Sequence, residues 1–360
     1  MKRILVTGAG GSPAVNFTRS LRKAPEDIYL VGTDYDKYYL MRAEVDKRYL
    51  VPAAKDPDYI AVLNKIIDDE KIEFVHAQND TEVNVLSANR DKLHAKTLFP
   101  NQKTIEICQD KYLSFEKWEA AGIKVPKTFI IKTKADVQKY LDKFGGKMWI
   151  RATSGAGGRG SLPVSDLETA INWLNFCKGW DGTFTASELL EKDSITWMAI
   201  WDEGELVVAQ GRRRLYWELS KLSPSGVTGA TGAGETVADP ILDDIAQKTI
   251  MAIDSKPNGL FAVDLTYDKD GVPNPTEINI GRFFTTHQFF TELGINMPHM
   301  FVKLAYGEAL PRLAKKLNPA KNNMVWIRGM DFEPVLCSMD EINSNLAGLE
   351  ALKKAVKKSA

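Results

Sequence analysis

The 360-residue chain has three cysteines, four histidines, no excess of either charge and no long apolar run. Each shortage narrows its function. Cys108, Cys177 and Cys337 are odd in number, far apart and form no CxxC pair, so neither a disulfide framework nor a zinc knuckle is indicated. Lys+Arg and Asp+Glu both number 47, so no overall charge draws the chain to nucleic acid or to an anionic membrane. Nothing approaches the roughly 20 apolar residues of a membrane-spanning helix. The opening Met1-Lys2-Arg3-Ile4-Leu5-Val6-Thr7-Gly8 meets a glycine too early for a signal peptide and reads as a first strand. A cytoplasmic protein is expected. The composition that remains, 44% hydrophobic and 26% charged, is that of an ordinary globular protein. The length suits two or three packed subdomains.

The first hundred or so residues alternate β-rich runs (Arg3 to Thr7, Ile28 to Thr33, Arg48 to Pro52, Ile72 to Ala77, Thr97 to Phe99) with helical patterns (Ala14 to Leu21, Tyr59 to Ile67, Glu82 to Leu93). That alternation predicts an α/β chain beginning with a doubly wound parallel sheet. A helix carrying Tyr112, Phe115, Trp118 and Ala121 follows, then a strand to Ile131 and a helix over Ala135 to Phe144. Beyond Gly146 the chain turns β-rich, with hairpins over Ile195 to Gly211 and Leu260 to Ile280 around a helix at Ile241 to Ile253. The remainder reads as mostly helical and ends in Lys353-Lys354 and Lys357-Lys358, a solvated last turn that the helix dipole favours.

The second hairpin carries the strongest chemical signal. Alternation places Ala262, Asp264 and Thr266 on one face of its first strand, and Glu277 and Asn279 share a face of the second. If Asp270-Gly271 forms a two-residue loop, Lys269 pairs with Val272 and Asp264 falls opposite Glu277. Two carboxylates so placed lie roughly 5 Å apart and repel. A bound divalent cation relieves them, and oxygen-only ligands suit magnesium, with Asn279 adding a neutral oxygen. The alternative is an exposed face where water screens both charges.

Two glycine-rich segments point to phosphate. Thr153-Ser154-Gly155-Ala156-Gly157-Gly158-Arg159-Gly160-Ser161 lies between two expected strands, where glycine lets backbone N–H groups approach phosphate oxygens. Arg159 and Arg151 supply positive charge, although GxxxxGK[ST] is absent, so this is no P-loop; a flexible surface hairpin is the plainer reading. Gly226 to Glu235 follows Arg212-Arg213-Arg214, whose alternation puts Arg212 and Arg214 on one face and Arg213 on the other. A mobile loop closing over a reacting carboxylate is one expectation there, and a disordered linker the other. Gly8-Ala9-Gly10-Gly11-Ser12-Pro13, with Asp34 ending the second strand, invites a dinucleotide reading, but Pro13 stands in the place of the last glycine of GxGxxG. Gln78-Asn79-Asp80 follows the fourth strand at the edge where open α/β sheets bind ligands; Asp80 or Glu82 suits an amine, or Asp80 caps the next helix.

In their order these segments resemble the ATP-grasp superfamily, most closely the single-module relatives of the carbamoyl phosphate synthetase large chain. The resemblance rests on Val6-Thr7-Gly8-Ala9-Gly10-Gly11 with Val15-Asn16, on Asp110-Lys111 with Ala121-Gly122-Ile123-Lys124-Val125-Pro126, and on Ile150-Arg151 with the glycine loop. It implies a pre-ATP-grasp domain at 1–110 and a two-lobed α+β ATP-grasp domain at 111–318, with a small lobe at about 125–190, a metal-bearing lobe at about 191–310, and a C-terminal segment at 319–360. It implies that ATP is held by Lys111, Arg151, Ser154, Gly155, Gly157, Gly158, Arg159 and Gly160, with adenine on the backbone of Glu188, Leu189 and Leu190. Asp193 or Ser194 stands where relatives often have a ribose-binding Glu. Mg²⁺, or Mn²⁺ in its place, would sit on Asp264, Glu277 and Asn279. Arg282, with Arg212 or Arg214, would steady a carboxylate and the oxyanion of its tetrahedral intermediate. The family's Asn-Pro-Arg here reads Asn279-Ile280-Gly281-Arg282, one residue longer.

The activity so implied is carboxylate–amine ligation through an acyl phosphate, with small-molecule substrates, no nucleic acid or membrane partner, and a homodimer left open. His287 would line the acceptor site or serve a structural role. The competing classes are a nicotinamide-dependent oxidoreductase on the N-terminal sheet and a non-catalytic ATP sensor.

Overall fold

A computed structural model describes residues 1–155 and 157–359. Strands β1 (Lys2–Thr7), β2 (Ile28–Asp34), β3 (Lys47–Leu50) and β4 (Phe74–Ala77) pair in parallel in the order β3-β2-β1-β4. Helix Ser12–Arg22 begins with proline in its first turn, where no backbone donor is wasted, and buries Ala14, Val15, Phe17 and Leu21. Helix Tyr59–Glu70 buries Tyr59, Val62, Leu63, Ile66 and Ile67. The strand expected at Thr97 to Phe99 does not form. Only Lys96 bridges β4, at Phe74, with Val75 N donating to Lys96 O and Lys96 N to Glu73 O.

Strands β5 (Thr128–Ile131), β6 (Met148–Ala152), β7 (Leu162–Val164) and β8 (Phe184–Ser187) form a small antiparallel sheet ordered β5-β8-β6-β7. Helix Lys134–Lys143, with its Thr133–Asp136 capping box, and helix Leu167–Cys177 share a core with it that includes Ile131, Leu141, Ile150 and Leu174. The second of these helices had no counterpart in the sequence reading.

The main sheet comprises β9 (Ser194–Asp202), β10 (Glu205–Trp217), β11 (Thr231–Val237), β12 (Gly259–Tyr267), β13 (Pro273–Ile280) and β14 (Val325–Ile327). Its six strands are antiparallel in the order β13-β12-β9-β10-β11-β14. One face, with Ile195, Trp197, Val263 and Leu265, packs on Leu242, Ala246 and Ile250 of helix Pro240–Met251. On the other, Met198, Ile200, Leu260 and Ala262 pack against Phe283, Phe289, Phe290 and Met300.

Two expectations change here. Residues 226–235 are not wholly a loop: Thr231–Val237 is a strand between β10 and β14. Its glycines make room, since a Cβ on Gly234 would lie 2.7 Å from Arg212 Cδ and one on Gly232 would lie 2.0 Å from the Tyr216 ring. The C-terminal stretch is likewise not helical throughout: β14 joins the main sheet before helix Met339–Ser359. That helix lays Leu352 and Val356 against the apolar cluster containing Leu63 and Ile66.

Candidate active site

Next to the edge of the main sheet, β12 lies between β9 and the edge strand β13, so Asp264 has Thr196 on one side and Glu277 on the other. The expected opposition of Asp264 and Glu277 is present, but it arises by a different route. Asp268 N donates to Val272 O at 3.0 Å, so the loop holds three residues, Lys269 to Gly271, and pairing begins one position off. Tyr267 therefore faces Pro273 and Leu265 faces Pro275. A bulge at Thr276 then absorbs the extra residue and restores the register. Arg151, from the small sheet, donates Nη2 to the bulged Thr276 carbonyl at 2.9 Å.

A polar row crosses four strands: Glu277, Asp264, Thr196 and Arg212. Thr196 Oγ1 donates to Asp264 Oδ1 and accepts from Arg212 Nη2. Asn279 donates Nδ2 to Asp264 Oδ2 at 3.0 Å and accepts Arg282 Nη2 on its Oδ1 at 2.7 Å. Lys111 Nζ lies 3.3 Å from Glu277 Oε2 and donates to Gly155 O at 2.7 Å. Arg214 stacks over Trp217, donates to Ser194 Oγ at 2.6 Å and lies 3.7 Å from Asp264 Oδ1.

The two carboxylates differ electrostatically. Burial pushes Asp264 above the usual carboxylate range despite the Arg214 charge, and Glu277 adds to the rise. Burial acts on Glu277 too, but Lys111, Arg151 and Arg282 outweigh it and hold that carboxyl low. Arg212 is fully buried on hydroxyls, with Thr231 Oγ1 at 2.6 Å and Thr286 Oγ1 at 3.1 Å. Burial, with Arg214 alongside, pushes its guanidinium well below the usual arginine range. This corner of the sheet therefore carries more cation than anion.

Most residues singled out from the sequence converge here. Lys111, Arg151, Arg212, Arg214, Asp264, Glu277, Asn279 and Arg282 form one connected network. Arg213 points away and lies 3.5 Å from Asp193 Oδ1. The extra residue before Arg282 has a structural basis: Gly281 takes a left-handed φ of 72°, packed against Val83, and turns Arg282 back onto Asn279. The glycine loop joins β6 to β7. In it, positions Gly157 and Gly158 lie against the backbone of Thr228 and Val227, where a Cβ would meet the carbonyls at 3.7 and 2.6 Å. Ala156 of that loop lies outside the described residues. Ser154 is exposed, Gly155 accepts Lys111, and the loop runs through Arg159 and Gly160, whose carbonyl accepts Trp173 Nε1 at 3.1 Å. Glu188, Leu189 and Leu190 follow β8 as irregular chain, where Glu188 and Lys127 exchange hydrogen bonds.

The N-terminal domain supplies the facing wall. Arg282 clasps Asp80 with Nε on Oδ1 and Nη2 on Oδ2. Glu82 is buried instead, accepting Thr7 Oγ1 at 2.8 Å, Tyr59 hydroxyl at 3.0 Å and the Asn79 amide, and burial pushes it up to about 7. His287 is buried with Nδ1 at 2.6 Å from Phe284 O, and burial pushes it down to about 4.

At the glycine turn the chain packs directly on Gly10, whose Cβ would fall 1.9 Å from Tyr39 O. Asp34 is occupied by the Gly10 and Asp36 N–H groups. Sequence reasoning missed Thr196, Thr231 and Arg328, which donates to Ser12 Oγ at 2.9 Å and to Thr231 O at 3.0 Å. The only available signal was the run Ser194-Ile195-Thr196-Trp197, whose alternation puts two hydroxyls on Asp264's side.

Among the described residues no three His, Cys, Asp or Glu side chains cluster to hold a metal. The fit to a cation rests on two partly buried carboxylates set opposite each other, one of them raised by burial and further by the other's charge. Such an all-oxygen pair suits a hard divalent ion. Asn279, whose oxygen accepts Arg282 Nη2, lies beside the pair as its neutral neighbour.

Residues 4–98 match the family described as PylC-like, N-terminal domain. The biotin carboxylase domain of Hydrogenobacter thermophilus 2-oxoglutarate carboxylase, solved with MgADP, ADP and bicarbonate, superposes with TM-score 0.67 at 17% identity, covering 90% of this chain and 73% of that one. The N5-carboxyaminoimidazole synthase of Aspergillus clavatus, solved with ADP and 5-aminoimidazole ribonucleotide, gives 0.65 at 15%, covering 86% and 78%. The L-amino acid ligase of Bacillus licheniformis gives 0.62 at 14%, covering 85% and 74%. At such identities the likeness speaks for architecture, and the architecture of this chain is the ATP-grasp fold.

Proposed function

We propose that the protein is an ATP- and Mg²⁺-dependent ligase that activates a carboxylate as an acyl phosphate and joins it to an amine, releasing ADP and phosphate. The observation that carries this reading is the opposed pair Asp264 and Glu277 inside a ring of Lys111, Arg151, Arg214 and Arg282. Two acids alone would repel and a cluster of bases alone would bind any anion. Together they suit a metal–polyphosphate, whose cation meets the carboxylates and whose oxygens meet the bases. Three solved ligases and carboxylases of this fold were crystallised with ADP or act on amino acids, which agrees with the reading.

Asp264 and Glu277 would hold Mg²⁺, which neutralises phosphate charge when bound. Lys111 and Arg151 would hold phosphate oxygens, and the backbone N–H groups of Gly157 to Gly160 would add donors. Arg214 is the better candidate for the substrate carboxylate. Arg212 is fully buried and Arg282 is clasped by Asp80, whereas Arg214, which donates to the Ser194, Thr196 and Thr231 hydroxyls, keeps part of its side chain exposed. The likeness to single-module carbamoyl phosphate synthetase relatives rests on the sequence motifs and leaves the substrate pair open.

The test is an ADP-release screen over pools of carboxylates and amines with wild type and Glu277→Gln. Turnover with some pair, abolished in the variant, is the expected result. Turnover unchanged by Glu277→Gln would overturn the assignment.

A further inference from the structure

We propose that Asp80 is a receptor for a positively charged amine, so that the acceptor enters as a primary alkylammonium against the N-terminal domain. The inference rests on the ligase reading above and adds which wall of the cleft takes the nucleophile.

Asp80 opens helix Asp80–Ala88 directly after β4, at the carboxyl edge of the parallel sheet. Two contacts fix its backbone: Asn79 Oδ1 caps the Glu82 N–H at 2.9 Å, and Gln109 donates to Asp80 O at 2.8 Å. Arg282 lies behind the carboxylate, with 12% of its side chain exposed against 35% for Asp80. A carboxylate offers about four lone-pair positions, and Arg282 fills one on each oxygen, so the partly exposed side chain keeps positions for another donor.

The neighbouring acids are unsuited to the task. Glu82 is buried and already accepts from three donors. Asp34 is buried and accepts backbone N–H groups. Asp264 and Glu277 sit among Lys111, Arg151 and Arg214, which repel a second cation. Asp80 has a single cationic partner, is partly exposed, and is held by Arg282 beside Asn279 and thus beside the Asp264–Glu277 pair. An ammonium on its outer edge would stand across the cleft from the phosphate-binding bases.

The test titrates n-butylammonium chloride into the full-length protein, with and without Mg²⁺ and a non-hydrolysable ATP analogue, and follows the thermal midpoint. n-Butanol and sodium chloride serve as controls. Wild type should show a saturable rise with butylammonium that neither control reproduces. Asp80→Asn should need at least about tenfold more of it, the loss expected for one charge-assisted contact, while Asp80→Glu should keep a saturable response. An equal response in wild type and Asp80→Asn overturns the proposal, as does no response in wild type. So does a lower midpoint in Asp80→Asn with unchanged ammonium dependence, which would make the Asp80–Arg282 pair a domain clamp only. A wild type that ignores the Mg-nucleotide yet shows the Asp80-dependent response to butylammonium would refute the ligase reading and, with it, the acceptor role, while upholding Asp80 as an ammonium receptor.

Discussion

Replacing Glu82 with Gln removes a buried acid while keeping its shape and one acceptor oxygen, for either Thr7, which donates to Oε2, or Tyr59, which donates to Oε1. Burial raises this carboxyl from 4.5 to about 7, with the nearby Asp34 charge adding to the rise. A raised folded-state pKa means that the folded chain binds the extra proton. The stability it gives is whole below the unfolded value and is lost as pH climbs through the folded one. Linkage with these two values gives a loss of about 2.5 kcal/mol between about pH 5 and about pH 8. Urea denaturation of both proteins across that range isolates the effect, because every other titrating group is common to them. Wild type should lose roughly that much more stability than Glu82→Gln as the pH rises. Parallel pH profiles would refute the reasoning and mean that Glu82 is ionised at neutral pH in the folded protein.

Burial holds His76 down at about 3 and His287 at about 4, so both stay neutral in the fold while the unfolded chain protonates near 6.5. Stability should therefore also fall as pH drops through that unfolded value, and His76→Phe should flatten the fall in acid denaturation curves. Gly281→Ala sets a Cβ 2.7 Å from Val83 Cγ1 at a φ of 72°. Left-handed strain and overpacking together should cost about 2–4 kcal/mol in urea denaturation, and a loss below about 1 kcal/mol would show that the turn relaxes freely. NADH should leave the thermal midpoint unchanged, since Asp34, the expected ribose-binding acid, is taken by the Gly10 and Asp36 N–H groups; a saturable rise would reinstate the oxidoreductase.

The legible parts of this protein were those written in alternation. Asp264, Glu277 and Asn279 share a face because side chains alternate along a strand, a local rule that survives errors elsewhere. The register reached the expected opposition only because a longer turn and the bulge at Thr276 cancel. Sequence cannot see that pair of offsets, since Asp270-Gly271 fits a two-residue loop as well as the end of a three-residue one. The segment after Gly226 was misread for a related reason. Glycine signals a break, yet Gly232 and Gly234 sit in β11 because Tyr216 and Arg212 need the space, a tertiary demand. The Asp80–Arg282 clasp joins residues 202 apart and leaves no local trace, and the hydroxyl cradle of Arg212 draws on β9, β11 and Thr286 together.

The central claim, a metal–nucleotide site on the Asp264–Glu277 pair, is tested most directly by calorimetric titration of ATP with Mg²⁺ and with EDTA. Wild type, Asp264→Asn and Glu277→Gln would be compared. The account predicts Mg²⁺-dependent binding to wild type, weakened at least about tenfold in each variant and lost with EDTA. ATP affinity indifferent to Mg²⁺ and to both substitutions would contradict it.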